Sequence, residues 1–286
     1  MPSPRDLPFL VQLLEDPSPV VRQGLTEAFQ SYGPELASML DALPVTPNTL
    51  QRSRIRELLQ EKMRQTLRNS WPAWYALEED SARLEAALSQ IACYLQPVPD
   101  QPVLGDLLDE LAAAYRDWEA RQHIYGDALD LARFLFEEKG LRGAHNDYHA
   151  PENSNLVQVI QSGTGLPISL SCIYLLVGHR LHMSVGGCNW PGHFLALTYA
   201  RNELYVVDCF NGGTAVSEAD FLKKQGPSRQ AAASLLHHEA GAEVIVQRVL
   251  ANLANSYKRQ QDAANQLLMA DLLEIHERMT EGATHG

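Results

Sequence analysis

The sequence has little of what marks several large protein classes. Basic residues are scarce: 23 Lys and Arg stand against 35 Asp and Glu, a net charge of −12. That balance does not build the cationic face that counterion release from nucleic acid requires, and an anionic membrane surface would repel it. Long apolar runs are lacking, and none approaches the roughly 20 residues that span a bilayer. The amino terminus carries no basic region followed by an apolar stretch, so no signal peptide is expected. The four cysteines, Cys93, Cys172, Cys188 and Cys209, form no C-x-x-C pair and have no histidine at zinc-finger spacing. The expectation is a cytoplasmic protein with reduced cysteines, no metal site, and neither nucleic acid nor membrane as partner.

What is there is an ordinary globular composition, 45% hydrophobic and 20% charged over 286 residues. That length suggests about two domains and a core that needs no covalent staples. The first third has helical periodicity. Phe9, Leu10, Leu13 and Leu14 share one face, Asp16-Pro17-Ser18-Pro19 breaks the chain, and Val20, Val21, Leu25, Ala28 and Phe29 resume the period until Gly33-Pro34. This stretch resembles a HEAT-type repeat of two antiparallel helices. One such repeat cannot bury its own apolar faces, so it must pack on further helices at about 35–43, 49–69 and 81–95 or on the next domain. It is either a helical cap or a partner-binding surface.

Three prolines within 96–102 predict a linker. Beyond it, periodicity predicts helices at 104–121, 128–138 and 156–162, and a helix opened by Pro167 through His179. Strands follow, and amphipathic helices at 244–258 and 263–279 end the chain, with Asp262 as a cap. The predicted organisation is a helical, HEAT-like region at 1–95, the linker 96–102, a core at 103–225 and a C-terminal helical pair at 226–286.

The segments "HFLALTY" and "ELYVVD" are both strand-like and are separated by three residues. With a turn centred between Ala200 and Arg201, residue 197 opposes 204 and His193 opposes Asp208. Opposed residues of an antiparallel pair share a face with Cβ atoms about 5 Å apart. A carboxylate there would fix the imidazole tautomer, which is the base-and-orienter half of a nucleophilic triad. Equally, the two could simply satisfy each other at a sheet end. A one-residue shift of register would put them on opposite faces.

"NDYHAPENSNLVQVI", "GTGLPISLSCIYLLVGHRLHM", "GCNWPGHFLAL" and "VVDCFNGG" occur in that order. Together, over roughly 104–220, they resemble the bacterial SirB-one-type branch of the transglutaminase-like superfamily, and the terminal helices resemble a tetratricopeptide-like tail. The resemblance implies an α+β fold with a papain/transglutaminase-like core, a helix packed on an antiparallel sheet, flanked by helical hairpins. It also implies that His193 and Asp208 are the superfamily's catalytic His and Asp. At the helix start, where active members carry Cys after a Gly and one intervening residue, this chain has Gly165-Leu166-Pro167, and proline carries no nucleophile. Cys172 lies five residues on, rotated by about 140°. Ser171 is nearer in angle but equally deep, and Ser169 is near the start but far round.

Two functions follow. One is a non-catalytic binding or scaffold protein with protein or peptide as partner, in which His193 and Asp208 are a remnant pair. The other is an amide-directed hydrolase or acyltransferase with His193 as base, Asp208 as orienter, and Cys172 or a serine as an atypical nucleophile. Loss of the cysteine favours the first, and neither implies a cofactor.

Overall fold

The computed structural model describes residues 4–95 and 103–284, which form two compact units. The first unit contains α1 (Leu7–Gln12), α2 (Pro19–Ser31), α3 (Leu36–Asp41) and α4 (Thr49–Ser70). The Asp16 carboxylate accepts the Ser18 amide at 2.8 Å, and Pro19 then opens α2, where a missing N–H costs nothing. Leu7, Val11, Leu25, Phe29, Leu40 and Ile55 make its core. The long α4 buries only Ile55 and Leu67, and it begins with Asn48 and Gln51 exchanging backbone and side-chain hydrogen bonds.

The second unit begins at Trp71, so α5 (Asp80–Leu95) belongs to it. The expected linker at 96–102 lies outside the described residues. The unit continues with α6 (Leu104–Gln122), α7 (Ala128–Arg133), β1 (Arg142–Gly143), α8 (Leu156–Ser162), β2 (Thr164–Gly165) and α9 (Pro167–Arg180). Next come β3 (Val185–Cys188), β4 (Leu195–Ala200), β5 (Glu203–Asp208) and β6 (Thr214–Ser217). It ends with α10 (Glu218–Lys223), α11 (Arg229–Leu236), α12 (Ala242–Gln260) and α13 (Ala263–Thr284). No described helix is long and apolar enough to cross a membrane.

This is an α+β fold in which a central helix packs on an antiparallel sheet. Every residue of α9 from Pro167 to Gly178 is buried, as expected of a helix that is apolar all round. It is enclosed by α5, α6, α7, α8 and α12 and by β3 and β4. Its exposed end is tied down by Arg180, which bonds Glu85 of α5 at 2.8 Å and Asp109 of α6 at 2.6 Å. Strand order is β3-β4-β5-β6, all antiparallel, and β1 and β2 form a separate parallel pair. Strand alternation sends Cys188, Leu195, Leu197 and Val206 to the face covered by α10 and α11. The free edge of β3 is closed where the Ala240 amide donates to the Gly187 carbonyl at 2.8 Å.

The β4–β5 register differs from the predicted one. Leu197 pairs with Val206 and Ala200 with Glu203, so the turn consists of Arg201 and Asn202. Both have positive φ, 54° and 64°, as a two-residue hairpin turn that matches strand twist requires. Each strand therefore slides by one residue in opposite senses along the ladder, which preserves the parity of facing residues. Position 208 falls opposite 195, and His193 lies two residues beyond on the same face, as a diagonal neighbour.

Candidate functional site

His193 follows a turn that leaves β3: the Trp190 amide donates to the Cys188 carbonyl at 2.8 Å and the His193 amide to the Trp190 carbonyl at 3.1 Å. Gly192 occupies the left-handed region at φ 75°. The imidazole Nε2 lies 2.9 Å from Asp208 Oδ1, and each side chain is about one quarter exposed, 25% and 26%. With Nε2 facing a carboxylate, the neutral ring carries its proton there and presents Nδ1 as an acceptor. Among the described residues no group hydrogen-bonds to Nδ1. Asp208 is held from the other side as well. The Asn211 amide donates to its Oδ1 at 3.1 Å and the Asn211 side chain to its Oδ2 at 2.8 Å. Burial by itself would raise the Asp208 pKa, but hydrogen bonds from His193 and Asn211 outweigh it and hold the carboxyl below its usual 3.8.

An aromatic rim adjoins the imidazole on one side through Phe210. The Phe210 ring meets His193, His145 and Tyr148 edge to face, with centroids 6.1, 4.8 and 6.0 Å apart. Room for that ring comes from Gly143 in β1, where a Cβ would approach Phe210 ring carbons at 2.7 Å. The loop before α8 is tied by the Asn153 side chain, which donates to the Asp147 and Tyr148 carbonyls at 2.9 and 3.3 Å.

Pro167 is the first residue of α9, after Leu166 in extended conformation. Ser169 Oγ donates to the Asn153 carbonyl at 2.7 Å. Cys172 is fully buried, and its thiol pKa is driven up by burial with Cys209 as its electrostatic neighbour. No hydrogen bond joins Cys172 to His193 among the described residues. Cys209, also fully buried, is pushed up to about 12 chiefly by burial, with the adjacent Ser171 hydroxyl pulling the other way. Alternation along the chain puts Cys209 on the α9 side and Asp208 on the opposite one. The Cys188 thiol points to the Leu235 carbonyl at 3.7 Å. Burial raises it to about 11. Cys93 is exposed.

Residues 103–270, more than half of the chain, match the family described as the transglutaminase-like superfamily. The chain belongs to that superfamily. It is similar to the UPF0162 protein of Xylella fastidiosa, 34% identical over 132 residues, which are 44% of this chain and 47% of that protein. It is also similar to the human F-box only protein 21, 26% identical over 164 residues, 54% of this chain and 25% of that one. The chain thus spans about half the length of the bacterial relative and a quarter of the human one. No solved structure matches it.

The match of this transglutaminase-like chain extends past residue 225 through α12 and into α13. Those helices were expected to be a separate tail, yet α12 brings a side chain to the site. Arg248 Nη1 donates to the Asn189 side chain and, at 3.0 Å, to the Trp190 carbonyl, bracing the turn that carries His193. Sequence reasoning missed Arg248, which lies 55 positions away from His193. It also missed Asn211 and Phe210. The Asn three residues after a strand-end Asp was a usable Asx-turn signal for Asn211. Among the described residues no group of three or more His, Cys, Asp or Glu could hold a metal ion.

Proposed function

We propose that this chain, of the SirB-one-type branch, binds protein or peptide at the surface beside His193 and does not turn it over. The observation that supports this reading best is Pro167 at the first position of α9, where active relatives carry their cysteine. Cys172, Cys188 and Cys209 do not replace it, because buried thiols with raised pKa are neither thiolate nor accessible. His193 and Asp208 then serve to fasten the "PGHF" turn to the "DCF" segment. The HEAT-like α1–α2 pair and the tetratricopeptide-like α12–α13 pair would present further partner surfaces, in a cytoplasmic protein. Thiol- and serine-directed acylating probes, read by intact mass on the full chain, should leave no adduct that depends on His193. An adduct that disappears in His193→Ala overturns this reading.

That result would favour the second reading, an amide-directed hydrolase or acyltransferase. The open Nδ1 of an imidazole oriented by a carboxylate is what speaks for it: a base needs such an atom facing its proton source.

A further inference from the structure

We infer that Arg248 is a carboxylate-recognising residue of the His193 site, and that the peptide bound there carries a carboxylate at this point. This rests on the binding reading above. Arg248 is half-buried, with its guanidinium 5.9 Å above the Phe194 ring. Both of its hydrogen bonds leave from Nη1, to Asn189 and to the Trp190 carbonyl. Nε and Nη2 donate to nothing among the described residues, and no carboxylate lies within ion-pair distance of them. The open Nε–Nη2 edge is a planar two-donor fork, the geometry that takes a carboxylate through both oxygens. In a chain with 35 acidic residues, this half-buried arginine meets only neutral acceptors and an aromatic ring among the described residues, so its charge is left without a counter-ion.

Its place ties it to the site. The Trp190 carbonyl accepts from both Arg248 Nη1 and the His193 amide, which keeps the two nitrogens within about 6 Å of each other. Tyr148 is an electrostatic neighbour of Arg248 and touches Phe210, which in turn touches His193. Aromatic faces beside one unpaired guanidinium suit a monoanion on an organic body. A phosphate dianion would call for a second cation.

The carboxylate can come from an acidic side chain or from a chain terminus, and the test separates the two. Blocked tripeptides are titrated into the wild-type full chain while NMR follows Arg248 Nε and the His193 ring. The probes are N-acetyl-Ala-Glu-Ala-amide against its Gln counterpart, and N-acetyl-tri-alanine with a free against an amidated terminus. Saturable movement of Arg248 Nε by one carboxylate peptide and not by its neutral counterpart is expected, and the peptide that acts identifies the source. Arg248→Lys keeps the charge but loses the fork, and should weaken that binding by about tenfold or more; Arg201→Lys, on an exposed turn, should not. Equal binding of neutral and charged peptides overturns this inference and leaves the binding reading standing. If no peptide moves either residue up to tens of millimolar, both fall. Tighter binding of inorganic phosphate than of either carboxylate also overturns it. The wild-type comparison stands even if Arg248→Lys does not fold.

Discussion

Asp208 accepts hydrogen bonds from an imidazole, a backbone amide and a side-chain amide, so its loss orphans three donors. His193, by contrast, leaves Asp208 with two partners when it is removed. Asp208→Ala should therefore destabilise by about 2–3 kcal/mol and His193→Ala by about 1–2 kcal/mol. In a chain of this size that is a few degrees of Tm, at about 2–4 °C per kcal/mol. An unchanged Tm in His193→Ala counts against a fastening role for the pair. The pH dependence has a defined sign. A carboxyl held below its unfolded value contributes stability above about 3.8, and loses it as pH falls through the lower folded value. The gap between wild type and Asp208→Ala should close in strong acid.

At the scale of elements, the site depends on a glycine in a two-residue strand. Gly143 pairs with Gly165, and the bare backbone of Gly143 is what Phe210 lies against. Gly143→Ala would put a methyl 2.7 Å from ring carbons, inside van der Waals contact. Overpacking of that kind costs about 1–3 kcal/mol. The ring should swing away from His193, which would appear as a change in the ring-current shifts of the His193 protons. Unmoved His193 resonances would show that the aromatic rim does not hold the imidazole.

At the scale of the molecule, the second unit joins its first segment to its last helix through a buried histidine. His276 of α13 is 3% exposed; its Nδ1 lies 2.7 Å from the Tyr75 hydroxyl, and its ring stacks on Trp74. Burial lowers its pKa below 6.5, more than Glu243 and Glu277 raise it. The unfolded chain therefore takes a proton that the folded one refuses until lower pH. Stability from this residue is present above 6.5 and is lost as pH falls from there through the folded value. His276→Gln, which keeps a polar partner for Tyr75 but does not titrate, should flatten the dependence of Tm on pH below 6.5. A slope equal to wild type would place the acid sensitivity elsewhere.

Apolar periodicity and proline placement were enough to set most helices: α8 and the starts of α4 and α9 fall where the spacing puts them, because helix formation is a local matter of phase and capping. The meeting of His193 and Asp208 was legible too, since strand alternation preserves facing even when the turn moves by a residue. The turn itself was misplaced because Arg201 and Asn202 adopt positive φ without a glycine to announce it. What tertiary structure alone decided is everything supplied from a distance. Arg248 comes from a helix that seemed a tail, Gly143 yields space to a ring 67 positions on, and α5 packs in the second unit. Burial of Cys172, Cys188 and Cys209, which raises the pKa of all three thiols, is likewise a property of the packed interior, since desolvation depends on the medium that the fold puts around a sulfur.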